Sequence, residues 1–153
     1  MTAHDVSAST TIAAPPEVVF AILADARQHP RIDGSGTVRA AVSAPDRLEL
    51  GSEFGMDMKM GAPYKIKNRV VEFEEGRLIA WRHLGAHRWR YDLEPVEGGT
   101  QVTETWDLSH CNAVNRWVLG VMGYPKRHRR GIEQTLVNLK AAAEEDAVTS
   151  EQA

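Results

Sequence analysis

Glu53-Phe54-Gly55-Met56-Asp57-Met58-Lys59-Met60 alternates strictly. Phe54, Met56, Met58 and Met60 take every second position, with Glu53, Asp57 and Lys59 between them. A period of two belongs to a strand, whose successive side chains point to opposite faces, so the phenylalanine and the three methionines share one face. The same reading extends downstream. Tyr64, Ile66, Asn68 and Val70 form a row against Lys65, Lys67 and Arg69; His87, Trp89, Tyr91 and Leu93 stand against Arg88, Arg90, Asp92 and Glu94. Val102, Glu104, Trp106 and Leu108 face away from Gln101, Thr103, Thr105 and Asp107. Turn signals separate the rows at Glu75-Gly76, Leu84-Gly85-Ala86 and Glu97-Gly98-Gly99. A three-residue loop centred on Gly85 would pair His83 with His87, Trp81 with Trp89 and Ile79 with Tyr91. Consecutive hairpins make an antiparallel meander with one covered and one wet face.

Upstream, residues 5–13 are rich in Ser, Thr, Val and Ile and suit a strand. Pro15-Pro16-Glu17 opens an apolar stretch and signals a helix start. That helix is expected to end near Arg27, before His29-Pro30, with Pro30 to Gly36 as a connection. Downstream, Tyr124, His128, Ile132, Leu136, Leu139 and Ala143 recur at helical spacing. Gly120, Gly123 and Pro125 interrupt the piece before it, which predicts two helices or one sharp kink. Residues 147–153 read as a flexible tail. The order is α+β: a curved antiparallel sheet of six or seven strands wrapped around a long C-terminal helix, as one domain over residues 1–153. One helix across a strongly curved sheet leaves the concave face incompletely filled, so an internal cavity is expected.

Composition excludes several classes. The chain has 153 residues, 42% hydrophobic and 25% charged, which is ordinary globular usage rather than disorder. A net charge of -3 gives no overall pull toward nucleic acid or an anionic membrane. The longest apolar run, Val18 to Ala24, falls far short of the ~20 residues of a spanning helix. The opening residues lack a basic, then apolar, export signal. Cytoplasmic localisation without membrane insertion is the expectation. One cysteine, Cys111, forbids an internal disulfide and a cysteine-built zinc site. No phosphate loop, dinucleotide fingerprint or nucleophile elbow is present, so no cofactor is expected.

Three segments carry a family resemblance: residues 10–20, from Thr10-Thr11-Ile12 through Pro15-Pro16-Glu17 to Phe20; residues 71–82, from Val71-Glu72-Phe73 to Trp81-Arg82; and Gly98-Gly99-Thr100 through Trp106, followed by Leu136-Val137-Asn138-Leu139-Lys140. In this order they resemble the START-type helix-grip (SRPBCC) superfamily, and within it the polyketide cyclase/dehydrase-like branch. The resemblance implies a hydrophobic pocket under the long helix. It does not imply one activity, because a scaffold hosts unrelated functions. The insert from Cys111 to Pro125 is the part that matches least, and with it the pocket entrance.

Candidate ligand contacts come from the inward rows. Phe54, Met56, Met58 and Met60 offer an adaptable apolar wall, or plain core packing. Tyr64, Trp81, Trp89, Tyr91 and Trp106 offer stacking surfaces for a flat molecule, or core filling. Asn68 could orient a ligand carbonyl or satisfy a neighbouring backbone group. Glu104 is the most informative, since a carboxylate among Val102, Trp106 and Leu108 is costly unless paired or protonated. Burial would raise its pKa in the direction that proton transfer at neutral pH needs. His128, on the buried line of the long helix with Tyr124, is the second acid/base candidate. His83, at the hairpin rim, and Tyr124 are further candidate ligand contacts; His83 and His87 could also hold a metal, but no third ligand accompanies them, so no metal site is expected. Lys126-Arg127-His128-Arg129-Arg130 could meet an anionic head group or simply form a solvated helix face.

Three readings stay open. The first is a binder of a small hydrophobic, polyketide- or lipid-like molecule; the second is a cyclase/dehydratase-type enzyme using Glu104 or His128. The third is a protein-interaction module without a ligand. The sequence leaves monomer and homodimer equally open.

Overall fold

The computed structural model describes residues 5–82 and 86–152, with Val42, Met60 and Gln152 described along the backbone only. Seven strands are found among these residues: β1 (Val6–Ile12), β2 (Val38–Ser43), β3 (Glu53–Met60), β4 (Ala62–Glu74), β5 (Leu78–Arg82), β6 (Arg88–Val96) and β7 (Gly99–Asp107). They form one curved antiparallel sheet in the order β1-β7-β6-β5-β4-β3-β2. From β2 to β7 this is the expected meander, and β1 closes it by pairing with β7. The β5–β6 register sets Trp81 opposite Trp89 and Ile79 opposite Tyr91, as the alternation predicts. The connecting residues 83–85, and with them His83 and the Leu84-Gly85 part of the expected loop, lie outside the described residues.

One register shift changes the alternation. Between Val70 and Glu72 strand β4 carries an extra residue. Such a bulge reverses the facing of the residues beyond it. Val70 is buried, Phe73 meets Phe20 edge-on at 5.5 Å, and Glu72 turns outward to Arg88 (3.2 Å) and Arg90 (3.4 Å).

Helix α1 (Pro16–Leu23) starts where the prolines signal it but stops short of Arg27. The Asp25 side chain accepts from the Arg27 amide and opens a separate 3-10 turn over Ala26–Gln28. His29-Pro30, expected to terminate a helix, instead begins α2 (His29–Ile32). Proline is tolerated there because a first-turn N–H has no helical partner to lose.

The insert after β7 folds as helix α3 (Ala113–Val121), capped by Asn112 Oδ1 accepting from the Asn115 amide at 2.8 Å. Gly123, at φ 78°, makes the break before α4 (Tyr124–Gln152). A residue with a side chain would be strained in that left-handed conformation. The long helix is therefore helical through most of the segment read as a flexible tail, and Ala147 is buried.

Helix α4 lies mainly along β1, touching β7, α1 and α2. Ile132, Leu136, Leu139 and Ala143 are its buried line, as the spacing predicts. Lys140 Nζ donates to the Thr11 carbonyl (2.8 Å), and Glu144 accepts from the Ala13 amide (3.1 Å). The loop after α2 is pressed onto the same helix. The Gly34 amide donates to Thr135 Oγ1 (2.9 Å), and Asn138 donates to the carbonyls of Ile32 and Asp33. No helix among the described residues is long and apolar enough to cross a membrane.

Candidate functional site

Strands β6 and β7 place Tyr91 directly opposite Glu104, both facing inward. On the other side of β7, the residue opposite Glu104 is the small Ala8 of β1. The Tyr91 hydroxyl donates to Glu104 Oε1 at 2.7 Å. Glu104 is only 3% exposed, and its second oxygen, Oε2, is buried with no hydrogen-bond partner among the described residues. Burial pushes the Glu104 carboxyl up to about 8, against the opposing pull of the Tyr91 hydrogen bond, and the nearby Asp33 charge adds to the rise. Burial likewise raises the Tyr91 phenol well above its ordinary value, reinforced by Glu104. At neutral pH the pair is therefore a phenol donating to a largely neutral carboxylic acid. Such an acid carries an O–H donor of its own, and the described residues give Oε2 nothing to donate to.

A row of rings leads to this pair. Phe54 meets the edge of His29 at 5.4 Å, His29 stacks on Trp81 at 4.7 Å and 19°, and Trp81 stacks on Tyr91 at 5.4 Å and 30°. His29 is buried with Nε2 donating to the Leu23 carbonyl at 2.9 Å. Burial lowers its pKa, so the ring is neutral and aromatic stacking is its main contribution. Asn68, the cross-strand partner of Phe54, is buried beside the start of the row. His29 and Asp33 are the members that sequence reasoning missed. Beside Pro30, His29 carries only a helix-stop signal, and its stacking on Trp81 leaves no periodic trace.

A second ring cluster occupies the sheet's other end. Trp106, fully buried, donates from Nε1 to His87 Nδ1 at 3.1 Å. His128 of α4 lies 4.3 Å from Trp106 and 4.9 Å from Trp89, and Tyr124 stacks on it at 5.5 Å. Two of the sequence candidates, Glu104 and His128, thus belong to different clusters, joined through neighbouring residues of β6 and β7.

The methionine row splits. Met56 is buried, Met58 is half-buried, and the Met60 side chain lies outside the described residues. Tyr64, expected inward with them, is 38% exposed. It faces the concave side, but it sits opposite Met58 near the β3–β4 turn, beyond the region that α4 lines. Along β4 the inward row therefore grades from exposed Tyr64 through half-buried Ile66 to buried Asn68. Two open clefts border the sheet. One, of about 400 Å³, is bordered by Arg69, Arg82, Arg88 and His110. The other, of about 470 Å³, is bordered by Ser43, Glu53, Gly55, Lys65 and Lys67 and also by Phe54, Met56 and Ile66 of the inward rows. Neither has Tyr91 or Glu104 in its walls.

Among known proteins, a family described as polyketide cyclase/dehydrase and lipid transport matches residues 3–144. The chain is 41% identical over 138 residues to the uncharacterized protein Rv0088 of Mycobacterium tuberculosis, covering 88% of this chain and 62% of that protein. It thus spans less than two thirds of that relative's length. Among solved structures, protein NE0264 of Nitrosomonas europaea superposes with a TM-score of 0.71 at 17% identity, over 97% of this chain and 99% of that one. The polyketide-cyclase-like protein Cgl2372 of Corynebacterium glutamicum gives 0.60 at 20% identity, over 94% and 93%. At such identities the two structures speak for the fold alone.

Proposed function

This chain belongs to the polyketide cyclase/dehydrase and lipid transport family, with the helix-grip fold of the START-type superfamily, and we propose that it binds a small apolar or aromatic molecule bearing a carbonyl or hydroxyl oxygen. The molecule enters over Tyr64, Met58 and Ile66 and reaches the ring row of Phe54, His29, Trp81 and Tyr91. The observation that carries this reading is Glu104 Oε2, a buried acid oxygen without a partner among stacked rings. An uncommitted donor in an apolar surround favours an acceptor-bearing ligand, because a buried polar group left unsatisfied is expensive. Met56 and Met58 supply an adaptable wall, and Asn68 a second polar contact.

Tryptophan fluorescence titration tests it with pairs of aromatic compounds that differ only in one carbonyl. The carbonyl member is expected to bind about tenfold tighter, the worth of one buried hydrogen bond. Glu104→Leu should erase that difference while the carbonyl-free member still binds. No saturable response from any compound, or equal affinities within every pair, would overturn the proposal.

The raised carboxyl favours one second reading. A carboxyl that titrates at about 8 can deliver a proton to a ligand oxygen and take one back, as a cyclase or dehydratase step requires. In that case Glu104→Gln loses turnover but keeps ligand affinity. Turnover that survives the change removes the carboxyl from the chemistry.

A further inference from the structure

Helix α3 is amphipathic in an inverted sense. Val114, Trp117, Val118 and Val121 recur at the spacing of one helical face, and that face points to solvent. Trp117 is 68% exposed, and Val114, Val121 and the following Met122 are nearly equally so. No α3 residue is fully buried, and Leu119, on the opposite face, is its half-buried contact with the core. An exposed apolar patch of this kind marks an interaction surface.

Charge identifies what covers it. Between Cys111 and Gly131 the sequence contains Arg116, Lys126, Arg127, Arg129 and Arg130 and not one Asp or Glu. The overall charge of -3 conceals this local +5. The last four belong to the first two turns of α4, immediately past the Gly123 break, and all four are exposed. His128 and Tyr124 occupy the inward side of the same turns, against Trp106. The elbow thus offers apolar side chains and cations to solvent while its underside rests on the second ring cluster. Two copies meeting elbow to elbow would oppose +5 with +5, so self-association through this patch is disfavoured.

We propose that the α3–α4 elbow docks the protein on an anionic lipid surface, with the Trp117 face in the interfacial layer and the basic turns among the head groups. An aromatic at the interface and a Lys/Arg cluster beside it are the two attractions that hold interfacial helices. Docking through the elbow is independent of what the interior binds.

The test is co-sedimentation of the full chain with vesicles of phosphatidylcholine alone and of phosphatidylcholine mixed with phosphatidylglycerol. Binding is expected on the mixed vesicles, weakening as salt rises, with tryptophan emission shifting to shorter wavelength. Lys126→Gln with Arg127→Gln should weaken it ~25-fold, at ~5-fold for each charge near the surface. Trp117→Ser should cost ~10-fold and abolish the emission shift. All three positions are exposed, so these variants should fold. Absence of binding to both vesicle types overturns the proposal, as does equal binding to neutral and anionic vesicles. So does elbow-dependent dimerisation or capture of a protein partner without vesicle binding.

Discussion

Glu104→Gln should make the protein more stable than the native sequence at pH 9 and leave it similar at pH 5. The carboxyl titrates at about 8 in the folded chain, against an ordinary value of 4.5. Between those limits the folded state holds a proton that the unfolded chain has released. The stabilising contribution is therefore full below the ordinary value and lost as pH rises through the folded one. The loss is at most ~1.4 kcal/mol per pH unit, or a few kcal/mol in total. Glutamine keeps the shape and an acceptor for the Tyr91 hydroxyl but has no proton to lose. His29 runs in the opposite direction: its lowered pKa costs stability as pH falls below the usual histidine range, equally in both proteins, so it cancels. Thermal melts of the two proteins across pH 5 to 9 decide the matter. Parallel curves would mean that Glu104 is charged or solvated in the folded chain, and the case for a neutral donor to the ligand would fail with it.

Gly34→Ala should be the most destabilising single methyl group in the loop after α2. A Cβ there would stand 2.3 Å from the Thr135 amide nitrogen, 2.4 Å from the Gly131 carbonyl oxygen and 2.8 Å from the Gln134 carbonyl carbon. All three are backbone atoms of α4, and none can rotate aside. The loop has to lift, breaking the Gly34–Thr135 hydrogen bond and loosening Asn138 from Ile32 and Asp33. The expected cost is about 3 kcal/mol, or about 6–12 °C in Tm for a domain of this size. Gly120→Ala is the control. That helical position has nothing within 4 Å and an ordinary φ, so alanine should stabilise by about 0.5–1 kcal/mol. Denaturant unfolding of the two variants reads both signs. A neutral Gly34→Ala would mean that loop and helix are not in contact. Because Asp33 contributes to the raised Glu104 carboxyl, lifting this loop should also shift the pH profile above.

The period-two rows made the sheet legible, and with it the inward placement of Tyr91, Glu104, Trp106 and Asn68. Periodicity states which face a residue takes, not whether anything covers that face. Tyr64 was expected with the buried rows and is exposed because α4 runs along β1, at the far edge of the sheet. The bulge after Val70 left no sign in a stretch where Val71, Glu72 and Phe73 fit either facing. His29 and Asp33 come to the site through the loop packing on α4, a contact between segments about a hundred residues apart. The elbow was legible as an interruption by glycines, but the outward turn of its apolar face was not, since helical spacing alone does not say which side meets the core.

Strand β1 has β7 as its sole neighbour in the sheet among the described residues, and helix α4 packs against both strands. During synthesis the amino-terminal segment must therefore wait, unpaired, until some hundred further residues have left the ribosome. Such late closure belongs to slow-folding topologies. Chaperone demand should concentrate in that interval, and a premature stop before the closing helix would release a chain with its apolar sheet face uncovered rather than a smaller functional domain.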